Sequence, residues 1–312
     1  MDTKSNWKFW SRLLFTVVTL LMAIGVHGQN LYVTASGSGD IFSFTTSGVG
    51  NLFTSGLDHP TGLAFNSEGD LFEADQMSDI VYEFTPGGVK SVFASGLAQP
   101  MGLAFDSMGN LYVSQIGTGP VNTGLITKIT TNGVKSTFAT GLNPDGIGLA
   151  INSAGDLFMG DVEAGSIDEF TPNGVQSTFA TGLGHLNGMA FNSTGDLFVD
   201  GTYGGGGIIY KYTPGGAQSI FTSGSGLSEG PAGLAFNSAG NLFLADNGSG
   251  KIFEYSPNGT QSLFASGLQH PIGLAFLPVP EPSLFGLLGM GLAILTIARN
   301  RLAAPRIKQD YL

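Results

Sequence analysis

The chain has no cysteine among its 312 residues. That absence excludes a disulfide framework, a thiolate metal site and a cysteine nucleophile, and leaves the fold to packing and hydrogen bonding. Charge is also scarce, at 11% of residues, and positive charge scarcest of all. All four arginines (Arg12, Arg299, Arg301, Arg306) stand near the ends. Between Leu31 and Phe276, five lysines face 20 Asp and Glu, a net charge near −15. Nothing there can track a phosphate backbone, which argues against a nucleic-acid partner. No Gly-x-Ser-x-Gly elbow leads into a helix, so a serine nucleophile has no support. The run Gly204–Gly207 precedes neither a helix nor Lys-Ser/Thr, and reads as a flexible loop rather than a phosphate cradle.

Glycine, by contrast, numbers 49 and is periodic. One phrase recurs, clearest in Pro60-Thr61-Gly62-Leu63-Ala64-Phe65-Asn66-Ser67 and Pro231-Ala232-Gly233-Leu234-Ala235-Phe236-Asn237-Ser238. Its glycine falls at Gly62, Gly102, Gly148, Gly188, Gly233 and Gly273, in steps of 40, 46, 40, 45 and 40 residues. A period near 40 with several short strands per unit is the signature of a β-propeller.

Each unit divides into four strands. In the second, strand a is Gly62–Phe65, b is Asp70–Asp75, c is Ile80–Phe84 and d is Lys90–Ala94. Strand a carries Leu and Phe on one face and Gly and Ala on the other, which suits a sheet packed between two neighbours. Thr85-Pro86-Gly87-Gly88 and its relatives form the c–d turn, and Asn66-Ser67-Glu68-Gly69 and its relatives the a–b turn. Strong turn chemistry at both places predicts antiparallel meanders. The domain begins at strand b (Leu31-Tyr32-Val33) and ends at strand a (Gly273–Phe276). The expected fold is therefore all-β: a six-bladed propeller over residues 29–278, with four antiparallel strands per blade. Its last strand should pair with the N-terminal three and close the ring.

The ends read as addresses. Lys4, Lys8 and Arg12, an apolar run from Leu13 to Val26 and small residues up to Gly28 have the layout of a secretory signal peptide over 1–28. At 279–312, Val279-Pro280-Glu281-Pro282-Ser283 is followed by an apolar segment, 284–298, then Arg299 and Arg301. These three parts in order resemble the PEP-CTERM sorting signal of bacterial surface proteins. The resemblance implies export, membrane retention through 284–298, and processing by signal peptidase and an exosortase-type enzyme. The tail from Leu302 to Leu312 is longer than such signals usually carry.

The repeats themselves, through Pro-x-Gly-Leu-Ala-Phe-Asn, Gly-Asp-Leu-Phe and Asp246-Asn247-Gly248-Ser249-Gly250-Lys251-Ile252, resemble the NHL-repeat family. They also resemble the streptogramin-lyase-like and senescence-marker/gluconolactonase-like propellers. That group includes lactonases, lyases and protein-binding modules, so it implies fold more than function.

The a–b and c–d turns share one monotonous face, which suits structure, whereas the opposite face varies. Its d–a loops bring His59, Gln99, Asp145, His185, Glu229 and His270 around the channel mouth. Its b–c loops add Asp75, Asp79, Asp161, Glu163, Asp200 and Asp246, with longer loops at Gln115–Thr123 and Gly201–Gly207. His59, Gln99, His185 and His270 are candidates to bind a ligand such as a polysaccharide or an envelope protein. His59 and His270 each precede proline, which also fits a repeated loop residue with a purely structural role. Asp75, Asp161 and Asp246 recur at one strand end, where a carboxylate can accept loop amides.

The gluconolactonase-like resemblance implies a divalent ion held by a Glu in Glu-Gly-Pro, an Asn in Asn-Gly and an Asp in Pro-Asp-Gly. Here those are Glu229, Asn187 and Asp145, in a different blade order from the family's. Calcium or magnesium would suit such oxygens, with His185 as candidate base in a lactonase or lyase reaction.

Overall fold

Among the described residues, short apolar stretches between glycine turns fold into 24 strands, grouped in four-strand units. The computed structural model describes residues 29–119, 123–142, 148–203, 206–223, 227 and 231–278. These belong to the first of two units, Met1–Pro278. The expected signal peptide, the sorting signal and segment 284–298 lie outside the described residues. Among the described residues, no helix is long and apolar enough to cross a membrane.

Blade one takes Leu31–Ala35 (β1), Asp40–Phe44 (β2) and Gly50–Thr54 (β3). Blade two is Pro60–Phe65 (β4), Leu71–Asp75 (β5), Ile80–Phe84 (β6) and Lys90–Ser95 (β7). Blade three is Pro100–Phe105 (β8), Leu111–Gln115 (β9), Gly124–Ile129 (β10) and Lys135–Leu142 (β11). Blade four is Leu149–Ile151 (β12), Leu157–Asp161 (β13), Ser166–Phe170 (β14) and Gln176–Thr181 (β15). Blade five is His185–Phe191 (β16), Leu197–Tyr203 (β17), Gly206–Tyr212 (β18) and Gln218–Ser223 (β19). Blade six is Pro231–Phe236 (β20), Leu242–Asp246 (β21), Lys251–Tyr255 (β22) and Gln261–Ser266 (β23).

The last strand, Pro271–Phe276 (β24), leaves blade six and becomes the inner strand of blade one, giving the order β24-β1-β2-β3. Leu31 pairs with Phe276, Tyr32 with Ala275 and Val33 with Leu274. The ring closes as the strand count requires. Inner strands start earlier than the glycine phrase indicates, at Pro60 rather than Gly62 in blade two. The expected loop Gly201–Gly207 is largely ladder, because Gly201 pairs with Ile208 and Thr202 with Gly207 as the hairpin lengthens.

The turns explain the repeat phrases. Asn66 Oδ1 accepts from the Glu68 and Asp70 amides at 3.0 and 2.8 Å, and Gly69 takes φ +89. Between c and d, the Thr85 amide donates to the Val89 carbonyl and Gly88 takes φ +79. Both glycines occupy the left-handed region that a Cβ disfavours.

Packing between blades explains the rest. Phe72 meets Phe93 of its own blade edge-on at 4.8 Å between centroids and Phe105 of blade three at 5.0 Å. Phe198 and Phe243 repeat the arrangement with Phe221 and Phe236, and with Phe264 and Phe276. Such edge-to-face pairs add about 0.5–1.5 kcal/mol each beyond burial. At the repeated glycine there is no room for a side chain. A Cβ on Gly62 would stand 2.2 Å from the Met101 carbonyl oxygen, and one on Gly233 2.1 Å from that of Ile272. The repeated glycine is the contact between neighbouring inner strands.

Candidate functional site

The inner strands surround a channel whose cavity holds about 60 Å³. Its lining is glycine and aliphatic residues (Leu63, Leu103, Met189, Ile272 among them), with Asn187 the one polar side chain among the described residues. That volume admits a few waters, far less than the several hundred Å³ of a small-molecule pocket. Between the described inner strands there is thus no room for a small molecule.

The mouth is built on a frame of side chains that hold loop amides. Asp75 Oδ2 accepts from the Asp58 amide at 2.9 Å, and Gln115 Oε1 from the Ala98 amide at 2.7 Å. Asp79 Oδ1 accepts from the Gln99 amide at 2.9 Å, Asp161 Oδ1 from the Ala164 amide at 2.8 Å. Asp246 Oδ2 accepts from the Ser249 hydroxyl at 2.7 Å. Asp75 and Asp161 thus accept loop amides, as their structural reading anticipates, and Asp246 holds the Ser249 hydroxyl.

On this frame stand the candidate ligand-binding residues. His59, Gln99 and His270 share a left-handed backbone, with φ of 67, 56 and 51. Their carbonyls accept from the Gln76, Ile116 and Ser36 amides respectively, so the three loops share this bond, two of them carrying histidine and one glutamine. His270 Nδ1 lies 3.2 Å from Asn247 Oδ1, and His59 Nδ1 is buried without a partner. His270 and His185 are exposed; His59 and Gln99 are half-buried. His185 departs from the pattern: it belongs to β16, opposite Thr202, and the left-handed residue is Gly184.

The metal set is represented only by Asn187, because Asp145 and Glu229 lie outside the described residues. Among the described residues, no three His, Asp or Glu side chains gather as metal ligands.

Asp200 is a correction. Expected on a loop at the mouth, it lies inside β17 and is fully buried. Counted from the first leucine of its strand, Asp200 stands fourth, where Ala74 stands in blade two and Thr34 in blade one, one step inside the place of Asp75. Its Oδ1 accepts from the Gly188 amide at 2.7 Å and the Asn187 amide at 3.2 Å. Burial pushes its carboxyl up to about 7, against the lowering effect of those two amides.

Glu73 was not singled out by its motif at all. It is fully buried in β5, where neither oxygen meets a partner at full hydrogen-bond geometry and the Thr61 amide offsets the burial only in small part. Burial, with the Asp75 carboxylate adding to it, raises its carboxyl well above the ordinary value. The signal was present in the alignment of repeats: Val33, Val113, Met159, Val199 and Leu244 occupy the same place.

No family model matches the chain, and no curated protein matches it in sequence. Its fold is found among solved structures. A streptogramin B lyase superposes with TM-score 0.63 at 16% identity, covering 81% of this chain and 88% of that one. A catalytically inactive histidine-to-alanine virginiamycin B lyase from Staphylococcus aureus, determined with quinupristin, gives 0.59 at 14% identity, with coverage of 81% and 93%. A gluconolactonase-type protein gives 0.59 at 14% identity, covering 71% and 82%. The chain has the six-bladed architecture of these proteins. At such identities the likeness concerns the fold.

Proposed function

We propose that the protein is an exported, surface-sorted propeller acting as a non-catalytic extracellular binding module. Its ligand, an envelope polysaccharide or envelope protein, would lie across the mouth against His59, Gln99, His185 and His270. The observation that carries this reading is the shared left-handed backbone at His59, Gln99 and His270. Non-glycine residues in that region are strained, and strain of this kind clusters where side chains must be presented. A shared loop backbone that presents His, Gln and His in turn supports a recognition surface. The narrow apolar channel supports a ligand outside rather than within. The two end segments support export and processing by signal peptidase and an exosortase-type enzyme.

Glycan arrays and pull-downs from envelope material test this with the purified protein. Combined His59→Ala, Gln99→Ala and His270→Ala substitutions should abolish capture while leaving the melting temperature unchanged. Undiminished capture would overturn the reading.

A second reading is favoured by the likeness to a streptogramin B lyase and a gluconolactonase-type protein. In it, Asp145, Asn187 and Glu229 hold calcium or magnesium and His185 acts as base on a lactone or cyclic ester. Calorimetric titration with each metal, together with turnover of quinupristin or an aldonolactone, decides it. Turnover lost in both Asn187→Ala and His185→Ala would replace the binding-module reading.

A further inference from the structure

Five asparagines of this chain stand directly before glycine: Asn132, Asn173, Asn187, Asn247 and Asn258. Such a pair is a chemical weak point, because the glycine amide nitrogen can attack the asparagine side-chain carbonyl with no Cβ in the way. The attack needs that amide free, since a hydrogen bond fixes both its proton and its direction. In four of the pairs the amide is engaged. Those of Gly133, Gly174 and Gly259 donate to the Thr130, Thr171 and Ser256 carbonyls, each at 2.8 Å, inside the c–d turns. The Gly188 amide donates to Asp200 Oδ1 at 2.7 Å.

Gly248 is the exception, for among the described residues its amide donates to no acceptor. It lies in the b–c turn of blade six, where the Gly250 amide, not that of Gly248, closes back on the Asp246 carbonyl at 3.0 Å. Gly248 is exposed and Asn247 half-buried. The adjacent hydroxyl leaves the asparagine side chain alone, because Ser249 donates to Asp246 Oδ2 at 2.7 Å. Asn258 makes the contrast. Its Oδ1 accepts from the Thr260 hydroxyl at 3.1 Å and the Thr260 amide at 3.3 Å, which pins it over its own turn. Asn247 Oδ1 meets His270 Nδ1 instead, at 3.2 Å, from the loop between β23 and β24. An amide oxygen only accepts, so Nδ1 carries the proton.

We propose that Asn247 is a self-modifying site that deamidates through its own backbone, with His270 assisting at the carbonyl. Solvent hydroxide takes the Gly248 amide proton, and the nitrogen bonds to Asn247 Cγ. The carbonyl electron pair moves onto Oδ1, where the His270 Nδ1–H stabilises it. When that pair returns, the Cγ–Nδ2 bond breaks and Nδ2 leaves as ammonia with a proton from water. Water then opens the cyclic imide at either carbonyl, giving aspartate or isoaspartate. The net exchange is one water in and one ammonia out, and no further reactant is needed. The product sets a carboxylate against the exposed His270 at the channel mouth, whatever ligand the mouth takes.

The test is peptide mapping by mass spectrometry of the folded full chain, incubated at mildly alkaline pH, with all five pairs followed in one sample. Asn247 should convert about tenfold or more faster than the exposed Asn258, whose glycine must first give up its hydrogen bond. In denaturant the five rates should draw together, because the fold alone separates them. His270→Gly, which suits the left-handed backbone at φ 51, should slow conversion at Asn247 about fivefold, the worth of one hydrogen bond, and leave Asn258 unchanged. Gly248→Ala should suppress conversion, and alanine fits there because Gly248 has no positive φ. Equal rates at Asn247 and Asn258 in the folded protein, or a spread kept in denaturant, overturn the site. A His270→Gly variant that converts as fast as the wild type overturns the assistance.

Discussion

The Thr34 hydroxyl accepts the Gly273 amide at 2.7 Å, across 239 residues of sequence, and so fastens the last strand to the first. The pairing of β24 with β1 closes the ring, but this side chain also answers the amide that a bulge in this ladder releases. Thr34→Val keeps the shape and removes the bond, leaving the Gly273 amide buried and unpaired. The expected loss is about 1–3 kcal/mol, read as a lower urea midpoint with unchanged slope.

Glu73 is the only charged residue type among the six equivalents at its position, the others being Val33, Val113, Met159, Val199 and Leu244. Replacing an unpartnered buried acid by the residue its neighbours use should stabilise: Glu73→Val is expected to gain about 1–3 kcal/mol at neutral pH. The sign of the pH effect follows from its raised carboxyl. Stability from Glu73 is fully present below the unfolded-state value, about 4.3, and is lost as pH climbs toward the folded-state value. Glu73→Val should therefore gain more at high pH than at low, in parallel urea titrations.

The inner-strand glycines should tolerate nothing larger. Gly62→Ala places a Cβ 2.2 Å from the Met101 carbonyl, backbone against backbone, and is expected to cost more than about 3 kcal/mol or abolish folding. Gly87→Ala meets only Thr85 Oγ1, at 3.8 Å, and should change stability by less than about 0.5 kcal/mol. Thermal melting of the two side by side checks the claim.

Gln99 separates backbone strain from recognition. At φ 56 a glycine relieves strain, so Gln99→Gly should raise stability by up to about 1 kcal/mol. If its side chain belongs to the recognition surface, capture of the envelope ligand falls in the same variant. Gain of stability with undiminished capture would remove Gln99 from the surface.

Ring closure can be probed by ending the chain before Pro271, which strips β24 from β1. The exposed edge of β1 should then pair between molecules, seen as concentration-dependent aggregation by light scattering.

Much of this was legible in the repeats. The turn phrases gave the strand count, and the strand count gave the closure through β24, because local φ requirements and period-two patterning act on neighbours in sequence. The strand-end acids Asp75 and Asp161 were readable as loop fasteners for the same reason: their partners lie 17 and 3 residues away. The polar residues inside the wall were readable only by aligning the repeats. Val-Asp-Gly taken alone does not show that Asp200 stands level with Ala74, and Leu-Phe-Glu-Ala-Asp taken alone does not show that Glu73 fills a place its equivalents give to aliphatic residues.

The sixfold phrase thus determined by itself the number of blades, their turns, the invariant glycine and the face that varies. Tertiary structure alone decided what the glycine touches, which amides the bulges release, and which side chains answer them. Those contacts cross from blade to blade, as Thr34 to Thr61 and Gly62 to Met101 show. Burial, which turns Asp200 from a loop carboxylate into an acid near neutrality, exists only once the neighbouring blade has closed over it.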